Sequence, residues 1–337
     1  MGAGEAVGGP ELSGALQAAD GVVRAPSRFT LRQLGYLVAV GDAGSISAAA
    51  ARLHVTQTAV GAALNDLERA LGTHLLVRRR AHGAILTPAG QYVRDRARSL
   101  LAEATDLELS ARDSGTALRG PLALGCYSTI AVTLIPPILQ GFAELHPGVE
   151  LDFVADQQVP LERRLLAGEL DAALIYDMNL PMGLAARTLY EARVYALLSA
   201  DHPLATGGPV DLGALAQDPL VFLDLHPSGE HTMAVFRAAG VEPRIRYRTT
   251  DFELTRSLVG RGLGYALLVQ RPRRDETYEG LPVVAAQIVP SPAPVRILLA
   301  WSAAVRPTRR AQALMDFTAG LFAGGAPRGK TTVTHSF

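Results

Sequence analysis

Residues 45–68, SISAAAARLHVTQTAVGAALNDLE, leave little choice of local structure. Ser45 or Ser47 suits a helix N-cap, and Ile46, Ala49, Ala50 and Leu53 then recur at helical spacing. His54 and Val55 form a corner and Thr56 caps a second helix. Val60, Leu64, Leu67 and Leu71 run down its buried side, and Gly72 ends it. Two helices crossing steeply need small side chains where they touch, which Ala48 to Ala51 and Ala59 supply. Burying the second helix along that seam leaves Thr56, Gln57, Thr58, Gly61 and Ala62 facing outward, where a DNA major groove can receive them. The competing reading of these residues alone is an ordinary helical hairpin within an enzyme or bundle.

The flanks favour the first reading. Leu31, Leu34, Leu37, Val38 and Gly41 make a preceding helix with an apolar stripe, as a helix-turn-helix needs to close a small core. Downstream, 75–77 and 84–86 read as two short strands around a basic turn carrying Arg78, Arg79 and Arg80, a wing. Thr87-Pro88 then opens a long helix to about Arg112. Its Val93, Ala97, Leu100, Leu101, Ala104 and Leu107 form a near-heptad stripe that implies a partner helix. Between Arg28 and Arg98 there are ten arginines against four acidic residues, a balance of +6 in a chain that is neutral overall. Positive charge is thus concentrated on the segment carrying the helix-turn-helix, as phosphate binding requires.

These motifs, LRQLGYLVAV at 31–40, GSISAAAARLHVTQTAV at 44–60, LERALGTHLL at 67–76 and LTPAGQ at 86–91, resemble the winged helix-turn-helix and linker helix of LysR-type transcriptional regulators. The resemblance implies that Gln57 and Thr58 approach base edges, that Arg78 reaches the minor groove or phosphates, and that the helix at 88–113 pairs with another subunit. The candidate DNA-contacting set is Arg32, Thr56, Gln57, Thr58, Gly61, Ala62, Arg78, Arg79 and Arg80. The chain departs from the family pattern at Thr58, Gly61 and Ala62, where Pro, Ser and Arg are frequent, so Gln57 with wing and shape readout is expected to carry specificity.

With 337 residues, 48 % of them hydrophobic, the chain has material for two or three separate cores. The Gly- and Ala-rich segments 1–27 and 323–337 read as disordered or mobile tails. No apolar run approaches the ~20 residues that cross a bilayer, and no export signal opens the sequence, so the cytoplasm is the expected location, without a membrane partner. One cysteine, Cys126, excludes an intrachain disulfide and a multi-thiolate metal site. No metal or cofactor is expected.

Beyond 120 the pattern alternates. Strands are expected at 121–125, 149–154, 170–176, 192–199, 219–223, 244–248, 264–269, 283–289 and 295–301. Helices are expected at 129–145, 161–167, 229–239, 252–261 and 308–322. The fold class is therefore α/β with an N-terminal all-α winged helix-turn-helix at 28–87, a linker helix at 88–113 and a two-lobed α/β domain at 120–322. Lobe I is expected at about 120–193 plus 300–322 and lobe II at about 194–299, with a ligand cleft between them.

The segments LLAGELDAALI at 165–175, YALLSADHPLA at 195–205 and LVGRGLGYALL at 258–268 resemble the effector-binding domain of the same regulators, which is similar to a periplasmic solute-binding protein. The resemblance places Ser128, Thr129, Gln157, Gln158, Tyr176, Asp177, His226, Thr250 and Asp251 around a small-molecule effector. From their chemistry, Ser128 and Thr129 either cap a helix or, with its free amides, bind a carboxylate. Asp177 and Asp251 repel an anion unless paired. His226 serves the turn at Pro227 or a ligand.

The expected partners are double-stranded DNA with an imperfect palindromic operator, the effector, a second copy of the chain in a homodimer or homotetramer, and RNA polymerase at target promoters. Two other readings stand against a regulator: a solute-binding component and an α/β enzyme. No nucleophile elbow, phosphate loop, metal-ligand spacing or acid–base pair supports the enzyme.

Overall fold

A computed structural model describes residues 27–79, 83–112 and 118–324. Helix α1 (Leu31–Ala43) opens with a capping box in which Thr30 accepts from the Gln33 amide and the Gln33 side chain accepts from the Thr30 amide. Ser45 caps α2 (Ile46–Arg52), its hydroxyl accepting from the Ala48 amide at 3.0 Å. The corner is tight: His54 takes a left-handed φ of 54°, and Val55 N donates to Ala50 O at 3.0 Å. Thr56 then caps α3 (Gln57–Leu71), which closes at Gly72. Leu34, Leu37, Val40, Ala49, Ala50, Val60, Leu64 and Leu67 form one sealed core.

The wing is a hairpin of β1 (Leu76–Arg79) and β2 (Gly83–Leu86), paired Leu76 to Leu86. Glu68 of α3 ties it down by accepting from the amides of Leu75 and Leu76 at 2.6 and 3.1 Å. Thr87 caps α4 (Pro88–Arg112) by accepting from Gly90 N. Gly90 is required here, because a Cβ would lie 2.0 Å from Leu75 O.

Helix α4 serves both ends of the molecule. Val93, Ala97 and Leu101 pack on the helix-turn-helix core. Arg98 joins three elements: it pairs with Asp42 of α1, and its Nη1 donates to Ala167 O at 3.1 Å and Glu169 Oε1 at 2.9 Å in lobe I. Farther along, Asp106 accepts from Arg310 Nη1 at 2.8 Å. A cavity of about 60 Å³ lies in this seam, lined by Arg98, Ser99 and Trp301 among others. Tyr92, Leu100 and Leu107 of α4 remain exposed.

Lobe I is built on β3 (Gly120–Tyr127), α5 (Ser128–Leu145), β4 (Val149–Asp156), α6 (Gln158–Leu166), β5 (Ala172–Tyr176) and β6 (Leu184–Ala192). The chain crosses into lobe II for β7 (Tyr195–Ser199), β8 (Val210–Asp211), α7 (Leu212–Leu215), β9 (Pro219–Leu223), α8 (Ser228–Ala238), β10 (Arg244–Thr249), α9 (Phe252–Gly260), β11 (Ala266–Leu268) and β12 (Val283–Val289). It returns for β13 (Val295–Ser302) and α10 (Arg309–Phe322). The lobe I sheet has the order β4-β3-β5-β13-β6. In lobe II, β11-β7-β12-β8 form a sheet beside the parallel pair β10-β9, linked through a bridge between Leu220 and Tyr265.

Several expectations need correction. Strand β13 pairs antiparallel with β5 and β6, so the return to lobe I precedes Val295 and does not fall at residue 300. Strand β6, a separate element before β7, was not expected, nor were β8 and α7. Helix α6 begins at Gln158 rather than 161, since Pro160 sits in its first turn, where no intrahelical amide bond is lost. Helix α5 is 18 residues long with mean hydropathy 1.3, long and apolar enough to span a bilayer by that measure. Its Ile130, Leu134, Ile135, Ile138 and Phe142 are instead buried in the lobe I core. Of the expected tails at 1–27 and 323–337, residues 1–26 and 325–337 lie outside the described residues, as do Arg80 and the side chains of Arg78 and Arg79.

Candidate DNA-reading face and effector cleft

The first turn of α3 is exposed. Thr56 spends its hydroxyl oxygen on the cap, accepting from Ala59 N at 3.2 Å, while Gln57 and Thr58 point away from the core. Gln57 Nε2 donates to Ser47 Oγ of α2 at 2.9 Å. A Cβ at Gly61 would meet nothing within 4 Å, and Ala62 is exposed, so this face is open and nearly bare. Arg32 is exposed in the first turn of α1. The sequence reading gave Ser47 only a capping role; the cap is Ser45, which leaves the Ser47 hydroxyl for Gln57.

The cleft between lobes is framed by the ends of β3 and β5, the start of α5, the starts of α8 and α9, and the end of β11. Among the described residues, three direct side-chain hydrogen bonds cross it. Tyr127 OH meets Ser228 Oγ at 3.1 Å, Gln270 Nε2 donates to Thr133 Oγ1 at 2.6 Å, and Asn179 Nδ2 donates to Glu230 Oε2 at 3.3 Å. Between them the interior is almost filled: about 10 Å³ remains, lined by Thr129, Tyr176, Ser228, His231, Phe252 and Gln270 among others. That is the room of about one water. Burial pushes the Tyr127 phenol up to about 12, raises that of Tyr176 further, and lowers the pKa of His231. All three are therefore neutral at pH 7.

On the α5 and α9 flank the cleft widens into a groove of about 520 Å³. Ser128, Thr129, Thr250 and Asp251 line it together, as do Val132, Leu225, Phe252 and Pro272, which make its body apolar. Ser128 is the first residue of α5, and the N-cap Tyr127 makes no side-chain cap. The capping role considered for Ser128 and Thr129 is thus not taken up. Thr129 is 6 % exposed; its hydroxyl lies near the phenols of Tyr127 and Tyr176 yet forms no well-aligned hydrogen bond. Asp251 caps α9, accepting from Leu254 N at 2.6 Å, which occupies one of its oxygens.

The remaining expected residues do not line this groove. Gln158 is fully buried: its Nε2 donates to Glu162 Oε1, Tyr176 O and Met178 O at 3.0 to 3.1 Å, and its Oε1 accepts from Tyr176 N. Its amide is consumed in fastening α6 to the end of β5. Gln157 precedes α6 and is exposed. Asp177 pairs with Arg296, and His226 Nδ1 lies 3.1 Å from Glu230 Oε1. Residues the sequence reading missed include Thr133, Ser228, His231, Arg256 and Gln270. Arg256 is 2 % exposed, held by Glu253 at 2.9 Å and by the Arg274 and Glu276 carbonyls. No single spacing in the sequence marks these positions, because α5, α8, α9 and the segment after β11 each bring part of the set to the seam.

Cys126 lies buried in β3 with its thiol pushed well up by burial, which makes it a poor nucleophile. Among the described residues no cluster of His, Cys, Asp and Glu could hold a metal ion.

Comparison with known proteins agrees with both halves of this architecture. The model of the bacterial regulatory helix-turn-helix protein, lysR family, matches residues 31–91, and that of the LysR substrate binding domain matches 115–323. A probable hydrogen peroxide-inducible genes activator of Mycobacterium avium is 32 % identical over 283 residues, 83 % of this chain and 86 % of that protein. The solved C-terminal domain of a probable LysR family regulator from Rhodococcus sp. RHA1 is 44 % identical, covering 60 % of this chain and 99 % of that one, with a TM-score of 0.59. HinK, a LysR family regulator from Pseudomonas aeruginosa, is 30 % identical, covering 87 % of this chain and 99 % of that one, again at 0.59. The chain belongs to the LysR family of transcriptional regulators, with a DNA-binding helix-turn-helix domain and an effector-binding domain.

Proposed function

We propose that this regulator is gated by an apolar-bodied small molecule with an anionic head, bound in the groove between α5 and α9. The carrying observation is the buried, poorly bonded Thr129 hydroxyl beside the uncapped start of α5, at the edge of a 520 Å³ groove with apolar walls. Free amides and the positive end of an 18-residue helix attract a carboxylate to the α5 side, away from Asp251, which lies at the start of α9 with one oxygen held by the Leu254 amide. Val132, Leu225, Phe252 and Pro272 then take the body of the molecule. The relatives that respond to hydrogen peroxide suggest another signal. Cys126 is the one cysteine in this sequence and is buried, so a disulfide within the chain has no second thiol.

On DNA, Gln57 and Thr58 read base edges and the arginines of the wing grip phosphate or the minor groove. Helix α4 pairs with that of a second copy through Leu100 and Leu107, which are 44 % and 71 % exposed, so the operator is an imperfect palindrome. The protein acts in the cytoplasm, without catalysis, and meets RNA polymerase at its promoters. Arg98 connects the two functions, since it holds α1, α4 and the turn at 167–169 together. An effector changes transcription only by binding two arrangements of these parts unequally.

Calorimetric titration of the full chain with a panel of aromatic and aliphatic carboxylates, alcohols and amines tests the ligand class. Carboxylates alone should bind, and Thr129→Val should weaken them about tenfold, the loss of one charge-assisted hydrogen bond. Binding confined to amines, or undiminished by Thr129→Val, overturns the assignment.

A further inference from the structure

We propose that Ser47 is a positioning residue for base recognition: it locks the Gln57 amide in the orientation that accepts adenine and rejects guanine. This rests on the reading of Gln57 as a base-contacting residue. The observation is the hydrogen bond across the helix-turn-helix corner, Gln57 Nε2 to Ser47 Oγ at 2.9 Å, between two exposed side chains on an otherwise bare face.

The proton count gives this bond a direction. A serine hydroxyl has one hydrogen and two lone pairs, and a primary amide has two N–H donors and one carbonyl acceptor. Ser47 is exposed in the first turn of α2, on the same side as the leading edge of α3. We place a DNA phosphate against Ser47; a phosphate can only accept, so the Ser47 hydrogen goes to it and the Ser47 lone pair takes the Gln57 N–H. Flipping the amide would then set the Gln57 carbonyl against an oxygen with no proton to offer. Ser47 thereby leaves Gln57 with its carbonyl and one N–H on the outward edge.

That edge matches adenine, which offers an N6 donor and an N7 acceptor in the major groove. Guanine offers two acceptors, N7 and O6, and O6 would face the Gln57 carbonyl. Free glutamine flips its amide at little cost and tolerates either purine through a single bond. Fixed by Ser47, it discriminates. The neighbours Gly61 and Ala62 place no competing donor beside it, so at the base pair under Gln57 only the single hydroxyl of Thr58 stands near this amide.

The test uses the full chain and a duplex it selects from a random library, then the same duplex with each adenine replaced in turn by guanine or by 7-deazaadenine, which lacks the N7 acceptor. One position should lose about tenfold or more in affinity with either replacement. Ser47→Ala should reduce that discrimination about threefold to tenfold, the ordering of one flexible side chain, at that base pair and nowhere else. Ser47→Thr, which keeps the hydroxyl, should retain it. Because Ser47 is exposed and alanine favours helix, the variant folds.

A Ser47→Ala protein that weakens equally on every duplex makes Ser47 a phosphate contact only and overturns the proposal. So does one that keeps full adenine preference while Gln57→Ala loses it. If Gln57→Ala itself relaxes no position, the reading of Gln57 fails and the role of Ser47 falls with it.

Discussion

The DNA-binding domain and the effector domain are packed on opposite principles. Among the described residues of the first, every buried side chain is aliphatic or alanine, and polar groups stay on the surface as caps and ties. Among the described residues, all the buried polar side chains lie beyond residue 128. Thr129, Thr232 and Gln270 line the small cavity between the two lobes, and Gln158 and Glu162 are bonded at the end of β5 in lobe I. A core of interlocking methyl groups has one good arrangement and holds the face it presents rigidly. A seam of polar groups has several arrangements of similar energy, differing by a hydrogen bond or a proton. The rigid half suits reading a fixed sequence, and the adjustable half suits answering a ligand.

The sharpest way to break that contrast is to open a hole in the rigid half. Leu64→Ala removes a fully buried side chain from a small core and should cost about 3–5 kcal/mol. DNA binding should vanish while carboxylate binding by the lobes persists, with two separate transitions in calorimetry. A single shared transition would show that the halves are not independent. Next comes Gln158→Leu, which strips partners from Tyr176 N, Tyr176 O and Met178 O and should cost about 2–4 kcal/mol in denaturant unfolding.

Arg98→Ala should cost less, about 1–2 kcal/mol, since its side chain is only 12 % exposed but its partners are partly solvated. Its signature is functional. Operator affinity should stay within about twofold while the effector's influence on DNA bending drops, as gel-shift mobility would show. An unchanged response would remove Arg98 from the coupling. Tyr127→Phe, which deletes one bond across the cleft, should cost about 1 kcal/mol and speed carboxylate dissociation in stopped-flow measurements.

The smallest effect depends on pH. Burial raises the Glu162 carboxyl above its usual range, against the lowering effects of Gln158 and His226. A carboxyl whose pKa rises on folding binds protons more readily in the folded state. Its charge therefore costs stability above the raised value, and that cost fades as pH falls through it toward the unfolded value. Glu162→Gln should accordingly melt slightly higher than the parent at pH 7, and the gap should close toward pH 4. A gap that widens on acidification would mean the folded protein favours the charged form.

Local rules made most of the N-terminal domain legible. Thr56, Gly72 and Thr87-Pro88 mark helix ends through their own chemistry, and the structure places α3 and α4 within a residue of where those signals fall. The lobes were harder. Strand β13 reads from its apolar run, yet which sheet it joins depends on pairing with Tyr176 and Tyr190, more than a hundred residues upstream, and no local signal encodes that. The groove was half legible: Ser128, Thr129, Thr250 and Asp251 fall on it, because loops after strands point into the cleft. Gln158 was misjudged as a loop residue because its role, satisfying the backbone at the end of β5, exists only once α6 is docked.

Trp301, the one tryptophan in the sequence, lines the small cavity between α4 and lobe I. Its indole is partly buried a few side chains from the Arg98 junction. The molecule thus carries an intrinsic optical gauge at the place where its two halves touch. Indole emission, excited where the nine tyrosines do not absorb and read without any label, follows that joint as the regulator changes state.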